Sequence, residues 1–166
     1  MQFLLIILRL THIVAGAFWA GSGLMLVLVM MPGIQRAGPA AARVVPMAGI
    51  SKAMGIAAML TTFAGLALYA LIYSFNLNWI LSATGLAFTI GSLAGVAAFL
   101  NGLFHTRHAG QKVAALDQQM QALGGPPTAE LKAEMQRALG EVRTSSMTSA
   151  VLTTASLALM VIARYL

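Results

Sequence analysis

The chain has 166 residues, of which 59% are hydrophobic and only 8% are charged, and its mean hydropathy is +0.84. Soluble domains carry roughly 25% charged residues, so this composition excludes a soluble protein and indicates one integral membrane domain over residues 1–166. The formal net charge is +6. The basic residues are scattered near the ends of apolar runs, which favours membrane orientation and excludes nucleic acid as a partner. The absence of cysteine excludes disulfides and thiolate metal sites.

Four apolar runs are long enough to cross roughly 30 Å of hydrocarbon and predict four helices. The first run ends at Pro32-Gly33, a helix stop, and no basic residues precede it, so we expect a retained helix and not a signal peptide. A turn of only three residues, 76–78, makes the second and third helices antiparallel neighbours. The helices are predicted at residues 3–31, 53–75, 79–104 and 128–165, the third continuing to residue 123 and the last crossing the membrane at 145–165.

The segment between the third and fourth runs differs in kind, because all four acids of the chain lie between His105 and Thr144. Apolar residues recur at helical spacing on both sides of a Gly-Gly-Pro-Pro turn, and Thr128 is a plausible N-cap. The sequence therefore predicts a helical hairpin that extends helices three and four beyond the bilayer. Its apolar stripes would pack on each other or dock on a partner. These stripes are Val113, Leu116, Met120 and Leu123, and then Leu131, Met135, Ala138 and Val142.

The placement of Lys and Arg predicts the orientation. Eight of them lie in the first linker and in the hairpin, against Arg9 and Arg164 near the other side. The positive-inside rule then makes the linker and hairpin cytoplasmic and puts both termini outside, in a cell (inner) membrane. Tyr73, Trp79 and Tyr165 would lie at the outer interface as an aromatic belt. The eight are Arg36, Arg43, Lys52, Arg107, Lys112, Lys132, Arg137 and Arg143.

The first run carries the strongest functional signal. Arg9, His12, Gly16, Trp19 and Gly23 are spaced 3, 4, 3 and 4 residues apart, which puts them on one helix stripe. An ionisable side chain in the membrane costs at least about 2.5 kcal/mol and is a functional candidate by default. A neutral imidazole can bind haem iron or copper, and Gly16 would admit a macrocycle edge. Arg9 could pair with a haem propionate, a quinone oxygen or a lipid phosphate. Alternatively, His12 bonds a threonine or carbonyl of another helix, and Arg9 reaches the headgroups.

Two histidines at the cytoplasmic end of helix three form a second candidate. His105 and His108 share one helix face and could supply two ligands of a metal site, with Glu141 brought to the height of His108 by the hairpin. Alternatively, they are interfacial histidines near lipid phosphates. By this topology His12 and His105 lie near opposite faces of the bilayer, so one subunit offers no bis-histidine haem site.

Other features are less specific. The eleven methionines include soft thioethers that could bind Cu(I), but methionine is also an ordinary apolar residue of membrane helices. Gly91 and Gly95 form a G-x-x-x-G pattern, and Gly16 and Ala20 a small-x-x-x-small pair, both of which predict close helix contacts. No nucleophile motif, phosphate loop or intramembrane carboxylate pair is present, so no catalytic residue is assigned.

The segment Leu8-Arg9-Leu10-Thr11-His12, with Trp19-Ala20-Gly21 and Met31-Pro32 after it, resembles the first helix of the CopD-like membrane proteins. This broad group also includes HemJ-type proteins. The resemblance implies a small helical bundle that handles haem or copper: CopD-type proteins are associated with copper uptake, and HemJ-type proteins bind haem and act on protoporphyrinogen. His12, Trp19 and Gly21 are the residues that match.

We therefore expect an all-α, four-transmembrane-helix bundle with a cytoplasmic helical hairpin between helices three and four. The leading functional hypothesis is a protein associated with haem or redox chemistry, with haem b as cofactor, His12 as ligand and Arg9 as anion partner. One alternative is CopD-type copper transport or delivery. Another is a non-catalytic subunit of a larger membrane complex, bound to other membrane proteins or to further copies of itself.

Overall fold

The computed structural model describes residues 1–37 and 47–166, and it contains helices and no strand within these ranges. Four continuous helical rods are long and apolar enough to cross a membrane, so the predicted all-α, multi-pass architecture is confirmed. The elements are α1 (Gln2–Met25), a first π segment (Leu26–Met30), α2 (Met31–Ala37), α3 (Met47–Tyr73), α4 (Leu77–Ile80), α5 (Ala83–Asn101), a second π segment (Gly102–Thr106), α6 (Arg107–Ala122), α7 (Ala129–Ile162) and a 3₁₀ turn (Ala163–Tyr165).

The helices pack as two antiparallel pairs. The most extensive contacts join α1 to α3 and α5 to α7, and smaller contacts join α3 to α5 and α1 to α7. The four rods thus form an up-down-up-down bundle. His12 of α1 lies beside Gly65 near the end of α3, and the final 3₁₀ turn contacts α5. Both ends of the described chain therefore lie at the same end of the bundle as the α3–α5 connection.

The first helix does not end at Pro32-Gly33 as predicted, because it continues through α2 to Ala37. The first π segment lies directly before Pro32, and the Met31 N–H donates to the Leu26 carbonyl five residues back. A proline ring normally collides with the carbonyl four residues earlier, which here belongs to Leu28. The wider π turn moves that carbonyl aside, so the helix passes the proline without breaking.

The connection between α3 and α5 is a capped turn. Ser74 and Phe75 have φ angles of 47° and 53°, in the left-handed region that ends helices. The Asn76 side chain then accepts hydrogen bonds from the backbone N–H groups of Asn78 and Trp79, and so caps the short helix α4. The Ser82 hydroxyl starts α5 in the same way. The third long helix therefore begins at Ala83 and not at the predicted residue 79.

Aromatic side chains cluster at this end of the bundle. The rings of Tyr73 and Trp79 stack with centroids 3.6 Å apart, and Tyr69 packs edge-on to both. The Thr89 hydroxyl donates to the Gly85 carbonyl, so the Tyr69 hydroxyl donates to Thr89 over 2.7 Å. This bond ties α3 to α5. Tyr73 and Trp79, two of the three residues of the predicted aromatic belt, thus lie side by side.

The Gly91-x-x-x-Gly95 pattern mediates close packing, as predicted. Gly91 faces the backbone and side chains of α7, where an added Cβ would lie 3.3 Å from Leu159 Cβ and from the Ser156 carbonyl. An added Cβ at Gly95 would lie 3.2 Å from the Ser156 hydroxyl. The two glycines thus let α5 and α7 approach until their backbones nearly touch.

The polar segment forms helix α6 and the first half of α7, which contact each other. The Thr128 hydroxyl accepts a hydrogen bond from the Leu131 N–H, which confirms it as the N-cap of α7. Leu116 and Ala138 are buried, and Lys112 forms a salt bridge of 3.9 Å with Glu134. The apolar stripes predicted here thus pack largely on each other. Of the basic residues used for orientation, Arg43 lies outside the described residues.

Candidate functional site

His12 joins the first and second long helices through its Nδ1 atom. This nitrogen lies 2.7 Å from the backbone carbonyl oxygen of Thr61, in the middle of α3. The Thr61 hydroxyl returns a hydrogen bond of 2.9 Å to the His12 carbonyl. Thr61 is buried, with only 5% of its surface exposed. The alternative predicted for His12, a bond to a threonine or a carbonyl of another helix, is thus present in the structure.

Two glycines make room for this contact. An added Cβ at Gly65 would lie 2.7 Å from His12 Cε1 and 2.8 Å from Nδ1, so the imidazole packs flat against the α3 backbone. An added Cβ at Gly16 would lie 2.9 Å from the Thr61 hydroxyl. Thr61 therefore fills the space beside Gly16, which was predicted to admit the edge of a macrocycle.

The geometry fixes the tautomer of His12. A carbonyl oxygen can only accept, so Nδ1 carries the proton and Nε2 of the neutral ring carries the lone pair. Every buried side-chain nitrogen or oxygen among the described residues has a hydrogen-bond partner. Nε2 has none among them, so it lies at the accessible surface of the half-buried ring. The protein thus presents an oriented acceptor nitrogen that is not fully buried.

Arg9 and Trp19 complete the predicted stripe. Arg9 lies one turn before His12, is exposed, and makes no ion pair with any residue in the described ranges. Trp19 is half-buried, two turns further along the same helix. Gly23 packs toward Met54, where an added Cβ would lie 3.9 Å from the Met54 methyl. Arg9 and the imidazole edge therefore remain open, while the glycines of the stripe face α3.

The second candidate lies at the opposite end of the bundle, in an open cleft of about 610 Å³ between the second π segment and α7. We call it the inner cleft. His105 and His108 line one wall and Glu141 the other, so the structure brings together the three residues that the sequence analysis grouped. The residues that line the inner cleft include Phe104, His105, His108, Glu141, Thr144 and Thr148.

Hydrogen bonds between helices close the floor of the inner cleft. The Asn101 amide donates to the Ser145 carbonyl over 2.8 Å and to the Ser149 hydroxyl over 2.9 Å. The Thr106 and Ser145 hydroxyls are also hydrogen-bonded to each other. Because these bonds hold the second π segment against α7, the walls of the cleft are fixed relative to each other.

The residues of the inner cleft do not form a metal centre of the ordinary kind. Across residues 1–37 and 47–166, no three or more histidine or acidic side chains are placed to hold a metal ion. Within residues 1–37 and 47–166, His105 and His108 have no third histidine or acidic side chain placed to complete a metal site. His12 lies with Thr61 and Gly65, far along the bundle from either of them.

Several residues that shape these sites were not singled out from the sequence. Thr61 and Gly65 lie one turn apart in an apolar run, and a Thr-x-x-x-Gly pair is a signal for a close polar contact between helices. Asn101 was also missed. It is an amide at the end of an apolar run, and the fourth run is rich in serine and threonine that could bind it.

Comparison of the chain with protein-family models, with curated proteins and with solved structures finds no match. The residues of the two candidate sites therefore carry the functional argument.

Proposed function

We propose that this protein is associated with haem chemistry in the membrane, and that Nε2 of His12 would bind the iron of a b-type haem. The observation that carries this function is the 2.7 Å contact between His12 Nδ1 and the Thr61 carbonyl. Histidines that bind metals almost always donate their other ring N–H to a carbonyl or carboxylate, which orients the ring and raises its basicity. His12 has this arrangement, and Nε2 makes no hydrogen bond with any of the described residues.

The residues around His12 fit one haem ligand and one anion partner. Nε2 would bind the iron, and the exposed guanidinium of Arg9 would pair with a propionate. When bound, the haem would supply one-electron chemistry. The other two histidines lie in the inner cleft, so one chain offers a single histidine to the iron. A second copy or another membrane protein would cover the open side of the group.

The proposed orientation rests on the placement of the charged residues. With α6, the start of α7 and the first linker cytoplasmic, the basic residues obey the positive-inside rule. The haem would then lie in the outer half of a cell membrane, near the end that carries the aromatic cluster.

A second candidate is a non-catalytic subunit of a larger membrane complex. Ala20 is the buried residue of α1, whose apolar side chains otherwise lie exposed or half-exposed. Such a helix can pack against a partner as readily as against lipid, and His12 would then bond a partner's donor. Copper transport, the other alternative, gains no support from the histidine and acidic side chains of the described residues, which offer no group of three ligands.

The absorption spectrum of the detergent-purified protein, alone and after addition of haemin, tests the haem function. We expect a Soret band that disappears in His12→Ala. Gly65→Ala keeps the imidazole but forces it away from the α3 backbone, so haem affinity should fall by about 10-fold or more. A colourless protein that binds no added haemin, or an unchanged band in His12→Ala, would contradict the function.

Matched controls are available on the same helix and among the other histidines. Gly55 also lies on α3, but an added Cβ there meets no atom within 4 Å, so Gly55→Ala should leave the band unchanged. His105→Ala and His108→Ala remove imidazoles at the other end of the bundle and should also leave it unchanged. Circular dichroism of each variant checks that the helices are intact.

A further inference from the structure

The inner cleft lies at the boundary between hydrocarbon and headgroups. From Ala83 at the aromatic end, about 20 residues at 1.5 Å each cross roughly 30 Å and reach Leu103. Counting back from Arg164 along the antiparallel helix reaches Thr144 over the same distance. Both walls of the cleft therefore meet the inner interface at the same depth. Phe104, 63% exposed, extends the cleft toward the lipid tails.

The two walls carry different chemistry. His105 and His108 present imidazole N–H groups from one wall. Glu141 presents a carboxylate from the other, and it forms no hydrogen bond or ion pair with any residue in the described part of the chain. The ion pair found there joins Lys112 to Glu134. Arg143 lines a separate opening between α7 and the first π segment, so it does not neutralise Glu141.

This polarity restricts the ligand. A simple anion would be repelled by Glu141, and a simple cation would leave the imidazoles unused. A metal ion lacks a set of three ligands among the described residues. A molecule with an ammonium beside a phosphate satisfies both walls, which are lined by the exposed side chains of His105, His108 and Glu141.

We propose that the inner cleft binds the headgroup of a phospholipid with a primary ammonium next to its phosphate, as in phosphatidylethanolamine. Glu141 accepts hydrogen bonds from the ammonium, and His105 and His108 donate to the phosphate. The acyl chains run past Phe104 into the bilayer. A choline headgroup has no N–H to donate, and a glycerol headgroup has no positive charge. The site is separate from His12 and does not depend on haem.

Lipid retention by the full-length protein in detergent, measured by native mass spectrometry, tests this site. The probes are phosphatidylethanolamine, phosphatidylcholine and phosphatidylglycerol with identical acyl chains. We expect phosphatidylethanolamine to be retained about tenfold better than the other two, as a charge-assisted hydrogen bond predicts. Glu141→Gln should reduce its retention to the level of phosphatidylcholine. Equal retention of all three lipids by the unmodified chain would overturn the proposal.

Two further experiments test which side chains bind the headgroup and whether the headgroup belongs to a lipid or to a soluble molecule. Glu130→Gln removes an exposed acid distant from the cleft and should keep the preference, whereas His105→Leu with His108→Leu removes the N–H donors and should weaken retention of every phospholipid. Free phosphoethanolamine at millimolar concentration should fail to displace the lipid, since it lacks acyl chains. Displacement would assign the cleft to a soluble ligand and overturn the lipid assignment, as would a preference that survives Glu141→Gln.

Discussion

The α1–α3 pair and the α5–α7 pair both hold two apolar helices together in lipid, but they do so differently. In α1–α3 the polar contact is one point, where His12 meets Thr61 between two glycines. In α5–α7 polar and small residues follow each other along the interface, from the glycines opposite Ser156 to Asn101 opposite Ser145. Lipid offers no hydrophobic driving force between helices, so packing and hydrogen bonds decide their stability.

The two interfaces are expected to serve different purposes, the α5–α7 interface the stability of the bundle and the α1–α3 contact the binding of a ligand. In the α5–α7 interface the polar groups bond to each other, and the inner cleft opens only where the helices leave the membrane. In the α1–α3 contact, Nδ1 of His12 is hydrogen-bonded, whereas Nε2 has no partner among the described residues. We therefore expect changes in the α5–α7 interface to alter folding most strongly, and changes at the α1–α3 contact to alter binding.

The largest effect on stability should come from Gly91→Val. The new side chain would press on Leu159 and on the Ser156 backbone, which cannot rotate away, so α5 and α7 must separate. We expect a loss of about 2 to 3 kcal/mol in the free energy of unfolding. Unfolding in a graded series of dodecyl sulfate, followed by circular dichroism, measures it. Gly55→Val, in open space on α3, should cost far less, and equal losses would show that contact with α7 does not explain the effect of Gly91→Val.

Asn101→Leu should have an intermediate effect. The substitution removes the two hydrogen bonds to Ser145 and Ser149 and introduces an apolar side chain of similar size. Interhelical hydrogen bonds in membranes contribute about 0.6 kcal/mol on average, so we expect a loss of about 1 kcal/mol in the same assay. Asn78→Leu, in the exposed turn, is the control. A loss no larger than that of the control would mean that Asn101 does not tie the helices together.

The smallest effect should come from Thr61→Val. It removes the hydroxyl that donates to the His12 carbonyl but retains the Thr61 carbonyl that orients the imidazole. We expect a loss of about 0.5 kcal/mol in unfolding free energy and no change in haem affinity, measured by titration with haemin. Thr62→Val is the neighbouring control. A large fall in haem affinity for Thr61→Val would show that the hydroxyl, and not the carbonyl, positions the ring.

The sequence predicted the four spans because twenty apolar residues in a row have few alternatives to a membrane helix. It also predicted the Gly91-Gly95 contact and the grouping of His105, His108 and Glu141, since these follow from helical spacing and one turn. The continuation of the helix past Pro32 was not predicted, because a π turn depends on carbonyl positions that no residue type announces. Nor was Thr61 recognised, since its role depends on a backbone carbonyl, which every residue carries.

The second π segment makes the orientation of His105 and His108 depend on the number of residues in Gly102–Thr106. A π turn acts as a one-residue insertion into an α-helix, and each α-helical residue advances the helix face by about 100°. The imidazoles of His105 and His108 therefore face α7 in a register that the inserted residue sets. A single-residue deletion between Gly102 and Thr106 would leave both flanking helices well formed yet turn those imidazoles away from Glu141. In this part of the molecule, residue count matters as much as residue identity.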